Sequence, residues 1–338
     1  MKKLVLGIES TAHTIGVALV SQTGKTVSQE KTRVLSNELA KYPSSKAGFI
    51  PRKLADHHAE HYATLLKQAL EKAGVDAREI DAIAFSQGPG IGHSLRVGYM
   101  AAKSAAQLLD KPLVPVNHTI AHVEAGKWAT GAIDPLTVYV SGGNTQILAL
   151  EKSGGAYRYR VYGETLDVGI GNFLDNAGRL LELDPPDAVG VMLAAKQYHE
   201  KELVDLPYTV KGVDLAFSGL LSAIKRSTAD HNALAYAAQE NAYAMLVEAA
   251  ERCLCHTNKK QVMLVGGVAQ NPRLQEMFAS MCDEHGTTLK AVPTAYAGDN
   301  GAMIAVTGVK MLASGTEWKS TEPNQGLRID GQEFKWND

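Results

Sequence analysis

The chain has 338 residues, of which 34 are lysine or arginine and 36 are aspartate or glutamate, for a formal net charge of −2. This near-neutral balance excludes a freestanding, non-specific nucleic-acid binder, which needs a basic surface, but not a nucleic-acid substrate held with the help of a basic partner. The three cysteines are too few for a disulfide scaffold and favour a reducing compartment.

Hydrophobic residues do not cluster into a membrane segment. No apolar run approaches the roughly 20 residues that span a bilayer, and the apolar run Leu4–Ile8 is too short for a signal peptide. The sequence therefore predicts a cytoplasmic protein without membrane contact. If the source is a eukaryote, we expect the protein in the nucleus as well.

The first part of the chain is predicted to open with a hairpin and to continue with alternating helices and strands. Two β-rich segments flank a short polar turn, and the leucine spacing after Pro51 predicts an amphipathic helix that ends at Gly74. The predicted strands are 4–10, 14–21, one within 25–34, 81–86 and 111–117, and the predicted helices are 51–74, 92–109 and 118–129.

The same layout then starts again at residue 136. The predicted strands are 136–140, 146–150, 157–162, 261–265 and 288–292, and the predicted helices are 171–183, 190–202, 216–227, 233–256, 271–285 and 299–314. This alternation predicts a duplicated α/β fold with helices covering mixed sheets. We expect an N-terminal lobe at 1–131, completed by the C-terminal segment 299–338, and a second lobe at 132–298.

Three loops have the composition of anion-binding turns: Glu9–His13, Ser141–Thr145 and Gly266–Asn271. A tight turn between strands exposes successive backbone N–H groups that bind anionic oxygens, and the third loop also opens a predicted helix. Each loop alone can be no more than a turn, but the three together favour a nucleotide site. No GxxxxGK[ST] P-loop occurs, and the glycine-rich segment 88–92 does not fit the GxGxxG fingerprint.

A histidine pair is the second chemical signal. His118 and His122 are four residues apart in a predicted helix, so both imidazoles can reach one metal ion. Two structural, hydrogen-bonded histidines are the alternative, because this spacing alone is weak evidence. The zinc-protease signature HExxH places a glutamate where Thr119 stands, which disfavours a metalloprotease. Candidate further ligands are Tyr139 and Asp299, whose simpler interpretations are a strand aromatic and a helix N-cap.

These motifs together resemble the universal tRNA threonylcarbamoyl transferase family of TsaD/Gcp type, and within it the archaeal and eukaryotic branch that serves as catalytic subunit of the KEOPS complex. The segments that carry the resemblance are GIESTAHTIGVALV, PRKLADHH, FSQGPGIGHSLRV, VNHTIAHVEAG, YVSGGNTQIL, GETLDVGIGNFLD, LPYTVKGVDLAFSG, QENAYAMLVE, VGGVAQNPRLQEM and GDNGAMIA. The resemblance implies the two-lobe actin/sugar-kinase/Hsp70-like (ASKHA) fold, with a nucleotide cleft between the lobes.

The resemblance also implies a reaction. The threonylcarbamoyl group of threonylcarbamoyl-AMP would pass to N6 of the adenosine 3′ of the anticodon (t6A formation) in tRNAs that read codons beginning with A. No side-chain nucleophile is implied, because the tRNA amine attacks. One divalent metal ion, iron or zinc, would be held by His118, His122, Tyr139 and Asp299. The residues implied to contact the adenylate, or an ATP or AMP analogue, are Tyr139, Val140, Ser141, Gly142, Gly143, Asp175, Gly190 and Asn271.

The resemblance also implies partner proteins, and the sequence differs from the family pattern at one position. The implied partners are tRNA and KEOPS-type subunits, including a small kinase/ATPase and tRNA-binding companions. Ala194 stands where the family has a glutamate that reaches the ribose, which removes hydrogen bonds worth about 1–3 kcal/mol when buried. One alternative is therefore a divergent, weakly active or non-catalytic paralogue. The other is an ASKHA-type ATPase, which shares the cleft but uses magnesium and an acidic residue and does not need imidazole ligands.

Overall fold

The computed structural model describes residues 2–24, 31–43 and 50–336. Within these residues the chain divides into two units, each with its own five-stranded sheet and apolar core. Unit 1 comprises Met1–Ile133, Leu150–Tyr159 and Gly298–Asp338, and unit 2 comprises Asp134–Ala149 and Arg160–Ala297. No helix among the described residues combines the length and the hydrophobicity needed to cross a bilayer.

The sheet of unit 1 is mixed. Its strands are β1 (Lys2–Glu9), β2 (Thr14–Thr23), β3 (Thr32–Lys41), β4 (Ala82–Gly88) and β5 (Leu113–Asn117). They lie in the order β3-β2-β1-β4-β5, with β1, β2 and β3 antiparallel and with β4 parallel to both β1 and β5. Strand β4 is buried along its whole length, as is typical of parallel strands covered on both faces.

The third strand was predicted too early in the chain. It begins at Thr32 and continues to Lys41, beyond the predicted range, whereas residues 25–30 lie outside the described residues. Its position follows from pairing along most of β2 rather than from local propensity, because β3 is a partly exposed edge strand with several polar residues.

Unit 1 packs helices on both faces of its sheet. The helices are α1 (Pro51–Ala73), α2 (Gly92–Leu109), α3 (His118–Thr130) and α10 (Gly301–Ser314). Alternate residues of β1, Leu4, Leu6 and Ile8, join the core cluster that α1 and α2 cover. Gly7 lies on the opposite face, against α10. The predicted end of α1 is confirmed, since Gly74 follows it in a left-handed conformation with φ of 64°.

The second five-stranded sheet, most of which belongs to unit 2, repeats this strand order. Its strands are β6 (Leu136–Val140), β7 (Thr145–Ser153), β8 (Ala156–Glu164), β11 (Gln261–Val265) and β12 (Thr288–Ala291), and β9 (Val210–Lys211) pairs separately with β10 (Asp214–Leu215). They lie in the order β8-β7-β6-β11-β12, with β6 and β7 antiparallel and with β11 parallel to both β6 and β12. The predicted duplication of layout is therefore confirmed at the level of sheet topology.

The helices of unit 2 cover a separate core. They are α4 (Ile170–Leu180), α5 (Ala188–Gln197), α6 (Ser218–Arg226), α7 (His231–Thr257), α8 (Pro272–Glu284) and α9 (Thr294–Ala297). Helix α5 begins and ends earlier than predicted. The Asp187 side chain accepts hydrogen bonds from the amides of Val189 and Gly190 and so begins the helix at Ala188, and Tyr198 leaves the helical conformation.

Candidate functional site

Helix α3 carries the histidine pair at the end of β5. Asn117 begins the helix by accepting hydrogen bonds from the amides of Thr119 and Ile120 at 2.9 and 3.2 Å. The helix is buried around nearly its whole circumference from His118 onward. Because residues four apart share a helix face, the rings of His118 and His122 lie side by side, with their centroids 4.6 Å apart.

Asp299 completes a cluster of three potential metal ligands in unit 1. Its Oδ1 atom lies 3.2 Å from His122 Nε2 and 3.6 Å from His118 Nε2. The ligand atoms of the three residues all lie within 4.8 Å of one another. Asp299 is not the N-cap of α10, as its simpler interpretation supposed; Asn300 is, and its side chain accepts from the amide of Met303 at 3.0 Å.

Glycines bring Asp299 to this position. Helix α10 lies directly on β1, because an ideal Cβ atom on Gly7 would come 2.3 Å from the carbonyl oxygen of Gly301 and 2.6 Å from the amide nitrogen of Ala305. A Cβ atom on Gly301 would likewise meet the backbone of β2 at 2.6 Å, at Ala18 N. The contact needs a bare backbone on both sides, and it sets where α10, and the carboxylate just before it, lie relative to β1.

Glu9 is a fourth member of the cluster that the sequence analysis missed. It ends β1, is fully buried, and its Oε2 atom lies 3.1 Å from Nδ1 of His118. Its Oε1 atom accepts from the amide of Thr11 at 2.6 Å. A carboxylate bound to the far nitrogen of a metal-ligating histidine is common, because it orients the ring and leaves the other nitrogen for the metal. The available signal was an acidic residue at the end of a buried strand.

Two amides of the first loop, Glu9–His13, are not available for the predicted phosphate contact. The amide of Ser10 donates to Oγ of Ser86 at 3.0 Å, and the amide of Thr11 donates to Glu9. Both residues are buried. These N–H groups are already used inside unit 1, so the loop holds Glu9 and supports the histidine cluster.

The buried histidines and carboxylates of the cluster change one another's pKa values. Burial by itself lowers the pKa of His118, but the charge of Glu9 and the hydrogen bond with it outweigh burial and raise that pKa to about 9. Burial lowers the pKa of His122. Burial raises the pKa of Asp299, but the hydrogen bond with His122 and the charge of His118 outweigh it and hold that pKa well below its ordinary value.

The donor set fits a divalent transition metal. Two imidazoles and one carboxylate are ligands that zinc and iron accept, at about 2.0–2.2 Å for zinc. Both Nε2 atoms face the same carboxylate oxygen, and the 3.6 Å separation of His118 Nε2 from Asp299 Oδ1 is too long for a hydrogen bond. A divalent cation held by these atoms would be balanced by the two carboxylates, Glu9 and Asp299.

Tyr139, the fourth predicted ligand, belongs to unit 2. It is fully buried near the end of β6, where it pairs with Val265 of β11. Its place in the ligand set stays a prediction.

The second loop, which follows β6, offers free amides to an anion. Its carbonyl groups are tied to the start of α4, since the amides of Gly171 and Asn172 donate to the oxygens of Ser141 and Gly142 at 3.2 and 2.9 Å. Gly142 and Gly143 are exposed, and within the described residues no hydrogen bond uses their backbone N–H groups. The loop is therefore held in place by its carbonyl groups, while its two glycine N–H groups have no hydrogen-bond partner among the described residues.

The third loop follows β11. Gly266 adopts a φ of 102°, and a Cβ atom there would lie 2.2 Å from the carbonyl oxygen of Val140, so this loop lies against the end of β6. Gly267 faces open space. Asn271 caps α8 by accepting from the amide of Arg273 at 2.9 Å, and its Nδ2 atom donates to Gln239 at 3.2 Å.

The other predicted adenylate contacts have structural partners within unit 2. The carboxylate of Asp175 accepts from the amide of Ala188 at 2.9 Å. Gly190 is buried where a Cβ atom would lie 1.8 Å from the carbonyl oxygen of Pro185. Ala194, 6% exposed, packs in the apolar core. The structure thus gives each position a structural role, and adenylate contact at Asp175 and Gly190 stays a prediction.

Comparison with known proteins identifies the family. A family model described as TsaD: tRNA N6-adenosine threonylcarbamoyltransferase matches residues 33–306. The chain is 46% identical to the tRNA N6-adenosine threonylcarbamoyltransferase of Ignicoccus hospitalis, over 98% of this chain and 99% of that protein. It is 45% identical to the protein of that name from Thermococcus kodakarensis, over 99% and 100%.

Some relatives are longer than this chain. The chain is 46% identical to a probable bifunctional tRNA threonylcarbamoyladenosine biosynthesis protein of Methanocaldococcus jannaschii, over 98% of this chain, and spans 60% of that protein's length.

Solved structures agree on the fold. HypF from T. kodakarensis superposes with a TM-score of 0.59 at 16% identity, over 92% of this chain and 48% of that chain. The activator of 2-hydroxyisocaproyl-CoA dehydratase from Clostridium difficile superposes with a TM-score of 0.51 at 14% identity, over 95% and 100%. These likenesses support the ASKHA-type α/β fold alone. From the family match and the near full-length relatives, the chain belongs to the tRNA N6-adenosine threonylcarbamoyltransferase family.

Proposed function

We propose that this protein transfers a threonylcarbamoyl group from threonylcarbamoyl-AMP to N6 of the adenosine 3′ of the anticodon in tRNAs that read codons beginning with A. The observation that carries the proposal is the cluster of the buried His118 and His122 with the partly buried Asp299 in a chain of this family. Such a ligand set suits a Lewis-acidic metal ion. A metal ion of this kind accelerates reactions at a carbonyl group by polarising the carbonyl oxygen.

We propose that His118, His122 and Asp299 hold one zinc or iron ion, with Tyr139 as a further ligand. When bound, the ion would polarise the carbamoyl carbonyl and stabilise the oxyanion that develops on it. Glu9 would orient His118 through its Nδ1 atom, and the bare backbone contact between β1 and α10 would hold Asp299 opposite both imidazoles.

Unit 2 would bind the nucleotide part of the donor. The free amides of Gly142 and Gly143 suit the phosphate of the adenylate, which is also the leaving group, so hydrogen bonds there would stabilise charge that grows during transfer. The open backbone at Gly267 would admit a ligand close to the third loop. No side-chain nucleophile is required, because the N6 amine of the tRNA attacks.

The net charge of −2 supports partners that contribute positive surface. We propose that KEOPS-type subunits, including a small kinase/ATPase and tRNA-binding companions, hold the tRNA while this chain performs the transfer.

Reconstitution tests the proposal. The full chain is combined with a threonylcarbamoyl-AMP synthase, KEOPS-type partners and tRNA, and modified adenosine is scored by mass spectrometry of nucleosides. We expect t6A with the wild type, loss of both bound metal and product in His122→Ala, and neither loss in His93→Ala, since His93 is exposed on α2. No product under conditions where a relative is active would identify a non-catalytic paralogue, and ATP hydrolysis by metal-free protein would favour the ATPase alternative.

A further inference from the structure

A second group of charged side chains is buried in unit 1, close along α3 to the histidine pair. Glu124 is fully buried, and beside it lie Lys127, Lys310 and Tyr159, which are 4%, 3% and 1% exposed. Burying a charge costs free energy unless the charge is paired and hydrogen-bonded. Apolar side chains pack helices together at a lower cost in free energy. None of these residues belongs to the proposed set of metal ligands, so metal ligation does not explain why they are buried.

Both oxygens of the Glu124 carboxylate are held. The hydroxyl of Tyr159 donates to Oε1, and the ammonium of Lys310 donates to Oε2 at 2.5 Å. Lys127 differs from Lys310, because its Nζ atom lies 3.8 Å from the same oxygen and makes no hydrogen bond with any residue in the described part of the chain. One lysine is tied to the carboxylate, and the other only lies near it.

The hydrogen bond between Lys310 and Glu124 links α10 to α3, the two helices next to the proposed metal ligands. Glu124 follows His122 by two residues on α3, and Lys310 lies on α10, which begins two residues after Asp299. Sliding one helix past the other by a single residue is a displacement of about 1.5 Å. The contact between His122 Nε2 and Asp299 Oδ1 is only 3.2 Å long, so a displacement of that size would break it.

We infer that Glu124 and Lys310 are positioning residues, whose hydrogen bond fixes α3 against α10 and thereby sets the spacing of His118, His122 and Asp299. As a statement about metal binding the inference rests on the proposed function; as a statement about side-chain geometry it does not. It assigns no chemical step to either residue, since neither is among the three ligands.

Two matched variants separate positioning from electrostatics. Lys310→Met and Lys127→Met each remove one buried positive charge beside the same carboxylate, so charge alone would make both variants bind a cation more tightly. Positioning predicts that Lys310→Met weakens Zn²⁺ binding about 10-fold, the lower end for residues that orient metal ligands, and that Lys127→Met does not weaken it. In Lys310→Met, Lys127 still lies near the carboxylate, so Glu124 keeps a neighbouring cation.

The experiment titrates the full chain with Zn²⁺ against a chromophoric chelator. Lys310→Arg, which keeps the charge and can keep the hydrogen bond, is expected to bind Zn²⁺ more tightly than Lys310→Met. Should Lys310→Met fold poorly, Tyr159→Phe removes only the hydrogen bond to Oε1 and is expected to weaken binding about twofold. Wild-type affinity in Lys310→Met, or equal loss in the two methionine variants, overturns the inference.

Crystal structures of the metal-free proteins supply a second readout. We expect the His122 Nε2–Asp299 Oδ1 distance to lengthen from 3.2 Å in Lys310→Met and to stay unchanged in Lys127→Met. An unchanged distance in both overturns the inference. A wild type that binds no Zn²⁺ would instead overturn the proposed metal site, and the metal-free structures would still decide the role of Lys310.

Discussion

The close contact between β1 and α10 makes Gly7 a sensitive position. In Gly7→Ala the new Cβ atom would lie 2.3 Å from the carbonyl oxygen of Gly301, 2.6 Å from the amide nitrogen of Ala305 and 2.8 Å from its Cβ atom. A carbon and an oxygen in contact are normally about 3.3 Å apart, so the helix has to retreat by about 1 Å. The contacted atoms are backbone, and no rotamer change can relieve them.

Two opposing effects determine how far Gly7→Ala changes the free energy of unfolding. Overpacking a close-packed interior costs about 1–3 kcal/mol, and the upper end applies because backbone must move. Replacing glycine by alanine also restricts the unfolded chain, which stabilises the fold by about 0.4–1 kcal/mol. We therefore expect Gly7→Ala to lower the free energy of unfolding by about 2 kcal/mol.

Urea unfolding followed by circular dichroism measures this loss. Gly331→Ala is the control, because a Cβ atom there has nothing within 4 Å, and we expect it to stay within about 0.5 kcal/mol of the wild type. Since the retreat of α10 moves Asp299, Zn²⁺ affinity should fall in Gly7→Ala as well. Wild-type stability in Gly7→Ala would refute the argument that bare backbone contact positions this helix.

Three further predictions concern unit 2. Burial raises the pKa of Asp167, but hydrogen bonds from Ser218 and from backbone amides outweigh it and hold the pKa below its usual 3.8. The stabilisation by this carboxylate is therefore complete above pH 3.8 and is lost as the pH falls through the lower folded value. Asp167→Asn should destabilise the protein at pH 7 but not in strong acid, as urea unfolding at each pH would measure. Gly190→Ala, which places a Cβ atom 1.8 Å from the carbonyl oxygen of Pro185, should lower the melting temperature, and an unchanged value would contradict the packing role. Among the cysteines only Cys255 is exposed, so a thiol reagent should titrate one group in the native protein and three after denaturation.

Much of the fold follows from local patterns. The leucine spacing of α1 and its glycine end, the buried run of β4 and the two hairpin openings each depend on residues close together in the chain, and the structure confirms them. The edge strand β3 was misjudged because its partly exposed sequence carries a weak local signal, and pairing with β2 determines its extent.

The candidate site likewise contains residues that local sequence patterns predict and residues that they do not. The spacing of His118 and His122 alone predicts that both rings share a helix face, since helix periodicity is a local property. Glu9 and Asp299 are separated from the histidines by more than a hundred residues of sequence, so no local pattern links them.

Sequence patterning by itself therefore determined the alternation of strands and helices, the duplicated layout and the pairing of the two imidazoles, because each arises from interactions between near neighbours in the chain. Only the tertiary structure decided that Glu9 contacts His118 and that Asp299 faces both rings. The physical reason is close packing: glycine at residues 7 and 301 lets α10 rest on the backbone of the sheet, and such a contact exists only once distant segments meet.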